Sequence, residues 1–225
     1  MTHETSLRER LVDAGVELVM TSGTAALGLR EIARQAGVSH GAPRRYFPTH
    51  QALLSAIARR GFADLQARFA AATAGTASPR GRLHALGRAY LGYALEHRGM
   101  FELMFRHELL TSGQEEPGRP RLRESTLPLF EHMAGLIAAY RAERTAPDRP
   151  GAPGGSLPPA SVTAAALWAN LHGIAQLWAW GSLQLVLGSA PSAAGTPDGD
   201  GLDQLDQLDR LVAAALDAHL GRDVA

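Results

Sequence analysis

The chain has 225 residues, of which 45% are hydrophobic, and its 22 basic and 22 acidic side chains give a net charge of zero. This composition is typical of a globular protein with a core, and the absence of cysteine excludes disulfides, thiolate metal ligands and a cysteine nucleophile. Because the first residues, MTHETSLRERL, lack the apolar region of a secretory signal and no apolar run reaches about 18 residues, we expect a cytoplasmic protein without a membrane span.

Two helices are predicted before residue 38, because apolar residues recur there at intervals of three and four. The first is expected to begin after a capping Ser6 and to end at Ser22-Gly23. Its apolar positions are Leu7, Leu11, Ala14, Leu18 and Val19. The second is short and is expected to stop at Gly37, which can adopt a left-handed conformation. Its apolar face consists of Leu29, Ile32, Ala33 and Ala36.

Two further helices are predicted after residue 38. Ser39 is the expected N-cap of a helix that reaches Tyr46, with Pro43 in the first turn, where a missing N–H costs little. Thr49 is the expected cap of a long fourth helix. The inner side of that helix carries Leu53, Leu54, Ile57, Phe62 and Leu65.

The remainder of the chain also predicts helices, so the expected fold class is all-α. One helix begins at Ser78-Pro79, another contains Phe101 and Met104, and a third covers about 121–144. Residues 146–160 are rich in proline and glycine and predict a loop, which is followed by a very apolar helix over about 159–187. After a second loose segment at 188–200, a final helix carries Leu202, Leu205, Leu208, Val212 and Leu216.

The segment from Gly37 to Gly41 fits G-x-S-x-G, the pattern of a hydrolase nucleophile. That nucleophile lies on a sharp turn after a β-strand, whereas the residues before Ser39 predict an amphipathic helix. We therefore interpret Ser39 as a helix cap. We expect no enzyme activity, because the sequence predicts no catalytic set of acid, base and nucleophile residues. No metal site and no cofactor are predicted.

Basic residues are concentrated near the predicted short helices. Residues 30–60 contain six arginines and a single acidic residue, Glu31. A basic patch on a chain of zero net charge indicates an anionic partner at one end, although a solvated helix face would give the same charge pattern.

Two short helices joined by Ala36-Gly37-Val38-Ser39 match a helix-turn-helix. The small Ala33 suits the point where the helices cross, and Gly37 allows the turn. The second helix would then offer its polar face to a DNA major groove, where arginine binds guanine edges or phosphates.

The segment from Arg8 to about Leu65, with LREIARQAGVSHGAPRRYFPTHQALLSAIA at its centre, resembles the DNA-binding domain of the TetR family of bacterial transcription factors. The resemblance implies a DNA-binding domain over residues 1–50 and a helical effector-binding and dimerisation domain over 51–225. Two positions depart from the family pattern. Arg44 stands where the family often has tyrosine, and His50 stands where it usually has lysine, which puts one expected phosphate contact in doubt.

The segment LWANLHGIAQLWAWG resembles the Trp–His–Gly signature of one TetR C-terminal subfamily, through Trp168, His172 and Gly173. With the first resemblance, it implies a homodimer in which the last two long helices of each subunit pair as a four-helix bundle, and a pocket for a small, largely apolar effector. The apolar stripe of the final helix, which includes Leu208 and Leu216, is predicted to lie in this dimer interface. The aromatic, methionine and histidine side chains predicted to line that pocket are Tyr93, His97, Phe101, Met104, Phe105, Met133, Trp168, His172 and Trp178.

The predicted function is therefore a DNA-binding transcriptional regulator, namely a repressor that a ligand releases from double-stranded operator DNA. The residues predicted to contact DNA are Arg30, Ser39, His40, Gly41, Arg44, Arg45, Tyr46, Thr49 and His50. An effector-independent DNA-binding protein and a helical small-molecule carrier or enzyme are the alternatives. Which of Arg44 and Arg45 reads a base is left open at this point, as are the operator and the effector.

Overall fold

A computed structural model of the chain describes residues 6–106, 108–109, 122–145, 157–188 and 197–222. The regular elements within these ranges are all helical, which confirms the all-α prediction. They are α1 (Leu7–Ser22), a short 3-10 turn (Thr24–Ala26), α2 (Leu29–Gln35), α3 (Pro43–Tyr46), α4 (His50–Thr73), α5 (Pro79–Glu96), α6 (Arg98–Met104), α7 (Leu122–Arg144), α8 (Ala160–Ala179), α9 (Ser182–Val186) and α10 (Pro197–Leu220). No described helix combines the length and apolar character needed to cross a membrane.

Three helix starts follow directly from local hydrogen bonding. Ser6 and Glu9 form a capping box at α1, in which each side chain accepts from the other residue's backbone N–H. The Thr49 hydroxyl oxygen accepts from the N–H of Ala52 at 3.0 Å at the start of α4. Ser78 accepts in the same way from Gly81 at 3.1 Å at the start of α5. These caps confirm the predicted starts of the three longest helices before residue 100.

The described residues of 1–66 and 96–127 form one compact unit, called here the head unit. Its core is lined by apolar side chains from α1, α2, α4 and α6, among them Leu11, Ile32, Leu53, Ile57 and Leu103, all at 0% exposure. Gly15 brings α1 close to α4, since a Cβ there would lie 2.3 Å from Ile57 Cδ1. Small residues at these crossings thus set how closely the helices approach.

The described residues of 67–95 and 128–225 form the second compact unit, called here the body unit. Arg80, at the start of α5, fastens the end of α10: it donates to the Gly221 carbonyl at 2.9 Å and forms an ion pair with Asp217. Midway along the same helices, Gly87 lies where an added Cβ would be 2.7 Å from a Val212 methyl. Close packing between α5 and α10 and the Arg80–Asp217 ion pair near their ends therefore hold the body unit together.

The predicted start of α3 at Ser39 is wrong. The helix begins at Pro43, and no side chain caps it. Because Pro43 has no N–H, it cannot donate to the Ser39 carbonyl, and that carbonyl instead accepts from Ala42 N–H at 2.9 Å in a tighter turn. The segment before Pro43 is therefore a turn rather than helix.

The apolar helix predicted over 159–187 is two helices, α8 and α9. Gly181 separates them with a left-handed φ of 79°, and its N–H donates to the Trp178 carbonyl at 2.9 Å. The final helix begins at Pro197, earlier than predicted. Most of the two predicted loops, 146–156 and 189–196, lies outside the described residues.

The apolar stripe predicted on the last helix faces inward. Leu208, Val212 and Leu216 are buried within the chain, at 7%, 0% and 2% exposure. Leu205 is 56% exposed, and the side chain of Leu202 lies outside the described ones. The stripe thus belongs to the packing of the body unit rather than to a surface that awaits a partner.

Gly99 is expected to be a stability hot spot of the head unit. A Cβ there would lie 2.5 Å from the Val19 carbonyl oxygen and 3.0 Å from Gly23 Cα, so α1 and α6 would have to separate. Gly99→Ala should lower the free energy of unfolding by about 1–3 kcal/mol, as overpacking does, measured by urea denaturation.

Gly92→Ala is the matched control, because Gly92 lies within α5 and a Cβ added there would meet no atom of the described residues within 4 Å outside its own helix turn. It should be neutral or stabilising by up to about 1 kcal/mol, since alanine favours helix. An equal loss in both variants would show that the α1–α6 contact is not the cause.

Candidate nucleic-acid interface

The turn between α2 and α3 is fixed by two backbone hydrogen bonds. The N–H of Val38 donates to the Ala33 carbonyl at 3.0 Å, and the N–H of Gly37 donates to the Arg34 carbonyl at 3.1 Å. With Gly37 at φ 67°, this is a Schellman motif, in which a left-handed residue closes the end of a helix. The left-handed stop predicted at Gly37 is confirmed, and the turn directs the chain into α3.

Two arginines of α1 hold this turn in place. Arg10 donates to the Ala36 carbonyl at 2.7 Å, which satisfies one of the carbonyls left open at the end of α2. The guanidinium of Arg8 lies over the Phe47 ring, 4.7 Å from its centroid, where α3 ends. Both contacts were missed in the sequence, because they join residues that are 26 and 39 positions apart.

Most of the predicted DNA-contacting side chains are exposed on one segment of the head unit. The exposed ones are Arg30, Ser39, His40, Gly41, Arg44, Arg45, Tyr46 and His50, while Thr49 is half-buried and caps α4. His50 also donates from Nε2 to the Leu27 carbonyl at 2.6 Å. The residue that replaces the family's usual lysine therefore ties the start of α4 to the loop before α2.

The basic side chains in this region divide into two groups. Arg34 is bound to Glu31 through an ion pair, and the hydrogen bond from Arg34 holds the pKa of the Glu31 carboxyl below its ordinary value. Within the described part of the chain, the side chains of Arg30, Arg44 and Arg45 form no ion pair or hydrogen bond. Glu31 therefore does not neutralise the arginines of α3, which leaves them available to an anionic partner.

The nine side chains predicted to line an effector pocket are divided between the two units. His97, Phe101, Met104 and Phe105 belong to the head unit, where the Phe105 ring lies 5.6 Å from that of Phe62 and 4.9 Å from that of Phe101. The other five, which belong to the body unit, are Tyr93, Met133, Trp168, His172 and Trp178. The set therefore comprises two groups, and its role as a pocket stays a prediction.

A hydrogen-bonded chain joins α5 to α8 in the body unit. The indole N–H of Trp168 donates to the Tyr90 hydroxyl oxygen at 3.2 Å, and that hydroxyl lies 2.8 Å from His172 Nδ1. Burial lowers the pKa of His172, so the ring is neutral at pH 7 and Nδ1 accepts the Tyr90 proton. Burial likewise raises the pKa of Tyr90, which remains protonated.

The polar role of Tyr90 was missed in the sequence. A buried tyrosine hydroxyl needs a partner, and Trp168 and His172 are four residues apart on one face of a helix. A tryptophan and a histidine at this spacing were therefore the signal in the sequence that could have indicated partners for the tyrosine hydroxyl. In the described part of the chain, no group of three histidine or acidic side chains could hold a metal ion.

Two family models match the chain. Residues 11–57 match the model described as bacterial regulatory proteins, tetR family. Residues 83–195 match the model described as tetracyclin repressor-like, C-terminal domain. The first match contains α2, α3 and the turn between them, and the second contains Tyr90, Trp168 and His172.

Individual proteins of known sequence or structure are also similar. The HTH-type transcriptional regulator BetI of Rhizobium meliloti is 40% identical over 81 residues, which are 36% of this chain and 40% of that protein. A protein with unknown function from Rhodococcus sp. RHA1 is 30% identical, with a TM-score of 0.69 over 97% of this chain and 96% of that one. A TetR-like transcriptional regulator from the same organism shares the fold at 18% identity, with a TM-score of 0.58 over 99% of this chain and 100% of that one.

The buried His172 is expected to make the body unit sensitive to acid. Its pKa in the folded chain lies below that of an unfolded histidine, about 6.5, so its contribution to stability is present above that pH and is lost as the pH falls. The thermal unfolding midpoint of the wild type should therefore fall more between pH 8 and pH 5 than that of His172→Gln, which has no titrating ring.

The same substitution at the exposed His40 is the matched control and should leave the acid sensitivity of the wild type in place. If His172→Gln and His40→Gln change the pH dependence of the thermal midpoint equally, or if neither changes it, then His172 is not the group that makes the fold sensitive to acid.

Proposed function

Because the chain belongs to the tetR family of bacterial regulatory proteins, we propose that this DNA-binding transcriptional regulator is a repressor that a small, largely apolar ligand releases from its operator. Residues 1–50 form its DNA-binding domain, and residues 51–225 bind the effector and join two subunits. Operator binding blocks transcription, and the ligand lowers the affinity for DNA by favouring another arrangement of the two reading heads.

The observation that carries this proposal is the exposed, uncompensated charge beside a fixed helix-turn-helix. Arg44 and Arg45 lie on α3 without an ion-pair partner among the described residues, and Arg30 adds a third such charge on α2. Phosphate contacts from arginine supply most of the affinity for DNA, whereas contacts to base edges supply the sequence preference. A surface that only needed solvation would not require a turn held by Gly37 and Arg10.

The exposed face of α8 supports the homodimer. This helix contains no charged residue, and its exposed side carries Val162, Ala166, Ala169 and Leu177, spaced at helical intervals. Trp180, just beyond its end, is 71% exposed. An uncharged, apolar stripe of this length is typical of a subunit interface, and the alanines let a second helix approach closely.

The neighbouring helix α10 extends the same surface. Its inner leucines are buried in the body unit, but Leu205, Ala214 and Ala218 are exposed. Pairing α8 and α10 with their symmetry mates gives a four-helix bundle, as predicted from the sequence. The bundle is formed by the outward residues of both helices rather than by Leu208 and Leu216.

The aromatic and sulfur-containing side chains of the body unit support an apolar effector. Tyr93, Met133 and Trp178 are buried there, and the Tyr90–Trp168–His172 chain supplies polar groups on α5 and α8. Aromatic walls with a few placed polar groups are what a small-ligand site requires. The alternative to this proposal is a regulator that binds DNA without responding to an effector.

The full chain is expected to bind duplexes from the region upstream of its own gene about 1,000-fold or more tighter than a scrambled duplex. A panel of indole, hydrophobic phenols and medium-chain fatty acids should include a compound that raises the thermal midpoint and also lowers this affinity. Fluorescence anisotropy and thermal shift measure the two effects. Compounds that stabilise the protein but never change its affinity for DNA would indicate an effector-independent binder.

Ala169→Glu should convert the dimer into a folded monomer, because it places two carboxylates into the apolar contact between symmetry-related α8 helices. Sedimentation velocity gives the oligomeric state, and circular dichroism gives the fold. Ala138→Glu on α7 is the matched control, since Ala138 is also an exposed helical alanine and lies outside the proposed interface. A dimer that survives Ala169→Glu unchanged would exclude this interface.

A further inference from the structure

The rotation of α3 about its axis is fixed by two side chains on its inner side. Pro43, the first residue of the helix, is buried, and Phe47, four positions later, is 2% exposed. Residues four apart lie on the same side of a helical turn. Because both side chains are buried and the Arg8 guanidinium covers the Phe47 ring, this side of α3 faces the head unit.

This rotation distinguishes the three exposed residues between Pro43 and Phe47. Each residue of a helix points about 100° from the one before it. Arg45 is two positions from each of the buried residues and therefore points directly away from the head unit. Arg44 and Tyr46 are each next to one buried residue and point to opposite flanks of the helix.

We infer that Arg45 reads a guanine in the operator, and that Arg44 and Tyr46 bind phosphates on the two sides of the groove. The inference rests on the proposed role of α3 in DNA binding. A helix that lies in a major groove points its outermost residue at the base edges, and its flanking residues at the backbones on either side. Guanine O6 and N7 are the acceptors that match the two-pronged guanidinium.

Two other observations agree with this assignment. Gly41 is exposed in the turn before α3, and apart from its chain neighbours no heavy atom of the described residues lies within 4 Å of the position its Cβ would take. The backbone beside α3 can therefore come close to DNA without a side chain in between. Glu31, the acid that could have held either arginine, is bound to Arg34 instead.

The test compares lysine substitutions, which keep the charge but remove the two-pronged donor. The wild-type chain selects sequences from a pool of random duplexes, and the selected duplex is then used with each variant. Arg45→Lys should lose the preference for one G·C pair by roughly 5- to 150-fold, while its salt dependence stays that of the wild type. Arg44→Lys should keep both the preference and the salt dependence.

Arg44→Ala completes the comparison. It should weaken binding to the selected and the scrambled duplex alike. It should also reduce the slope of log affinity against log salt by about one unit for each bound subunit. Tyr46→Phe should also weaken binding to both duplexes alike, without changing which sequence is preferred. Circular dichroism checks that each variant is folded, and the lysine variants keep the test valid if an alanine variant unfolds.

The assignment is overturned if Arg44→Lys, rather than Arg45→Lys, loses the base preference, or if both lysine variants keep it. A wild-type chain that selects no sequence from the pool would instead overturn the proposed function, on which this inference depends.

Discussion

The left-handed turn at Gly37 is the constraint on which the proposed DNA-binding surface, the exposed side of α3, depends. It ends α2 with a Schellman motif and directs the chain into α3, whose single turn could not persist as an isolated helix. The position of α3 comes from its surroundings, since Arg10 holds the carbonyl at the end of α2 and Phe47 is buried under Arg8. The geometry of a four-residue helix is therefore set by α1, a much longer one.

The distribution of arginines within the head unit separates structural from available charge. Arg8, Arg10 and Arg34 are engaged by a ring, a carbonyl and a carboxylate, whereas Arg30, Arg44 and Arg45 are not engaged by other described residues. The local excess of positive charge in the sequence thus overstates the charge that a partner meets. The arginines that the other described residues leave uncommitted lie on the two helices joined by Gly37, and this is why we propose that these helices bind DNA.

In the body unit, α8 performs two tasks with different faces. Trp168 and His172 bind the Tyr90 hydroxyl and fasten α8 to α5, while Ala166, Ala169 and Val162 form an uncharged stripe that faces outward. This explains the chemistry of the Trp–His–Gly sequence: its two polar rings satisfy a buried tyrosine, and the glycine that follows lies toward the open face. If the outer face of α8 were in contact with solvent, polar residues would be expected along it.

Local patterns in the sequence were sufficient for the elements whose boundaries depend on neighbouring residues. Apolar spacing gave α1, α2, α4 and α5, and Ser6, Thr49 and Ser78 marked the starts of α1, α4 and α5 correctly, because a cap binds a backbone N–H within three residues. The stop at Gly37 was predictable for the same reason. The TetR resemblance, carried by residues 8–65, gave the family and the class of partner.

The tertiary structure alone decided which side of each amphipathic helix is covered and by what. Periodicity identifies an apolar stripe but not its partner, so Leu208 and Leu216 were assigned to a subunit interface although the chain buries them itself. The start of α3 was misplaced because Pro43 withholds the one hydrogen bond that would have extended the helix to Ser39. The engagement of Glu31 by Arg34, of His50 by Leu27 and of Tyr90 by His172 depends on side-chain geometry, and the last two join residues far apart in the chain, where no sequence spacing encodes a distance.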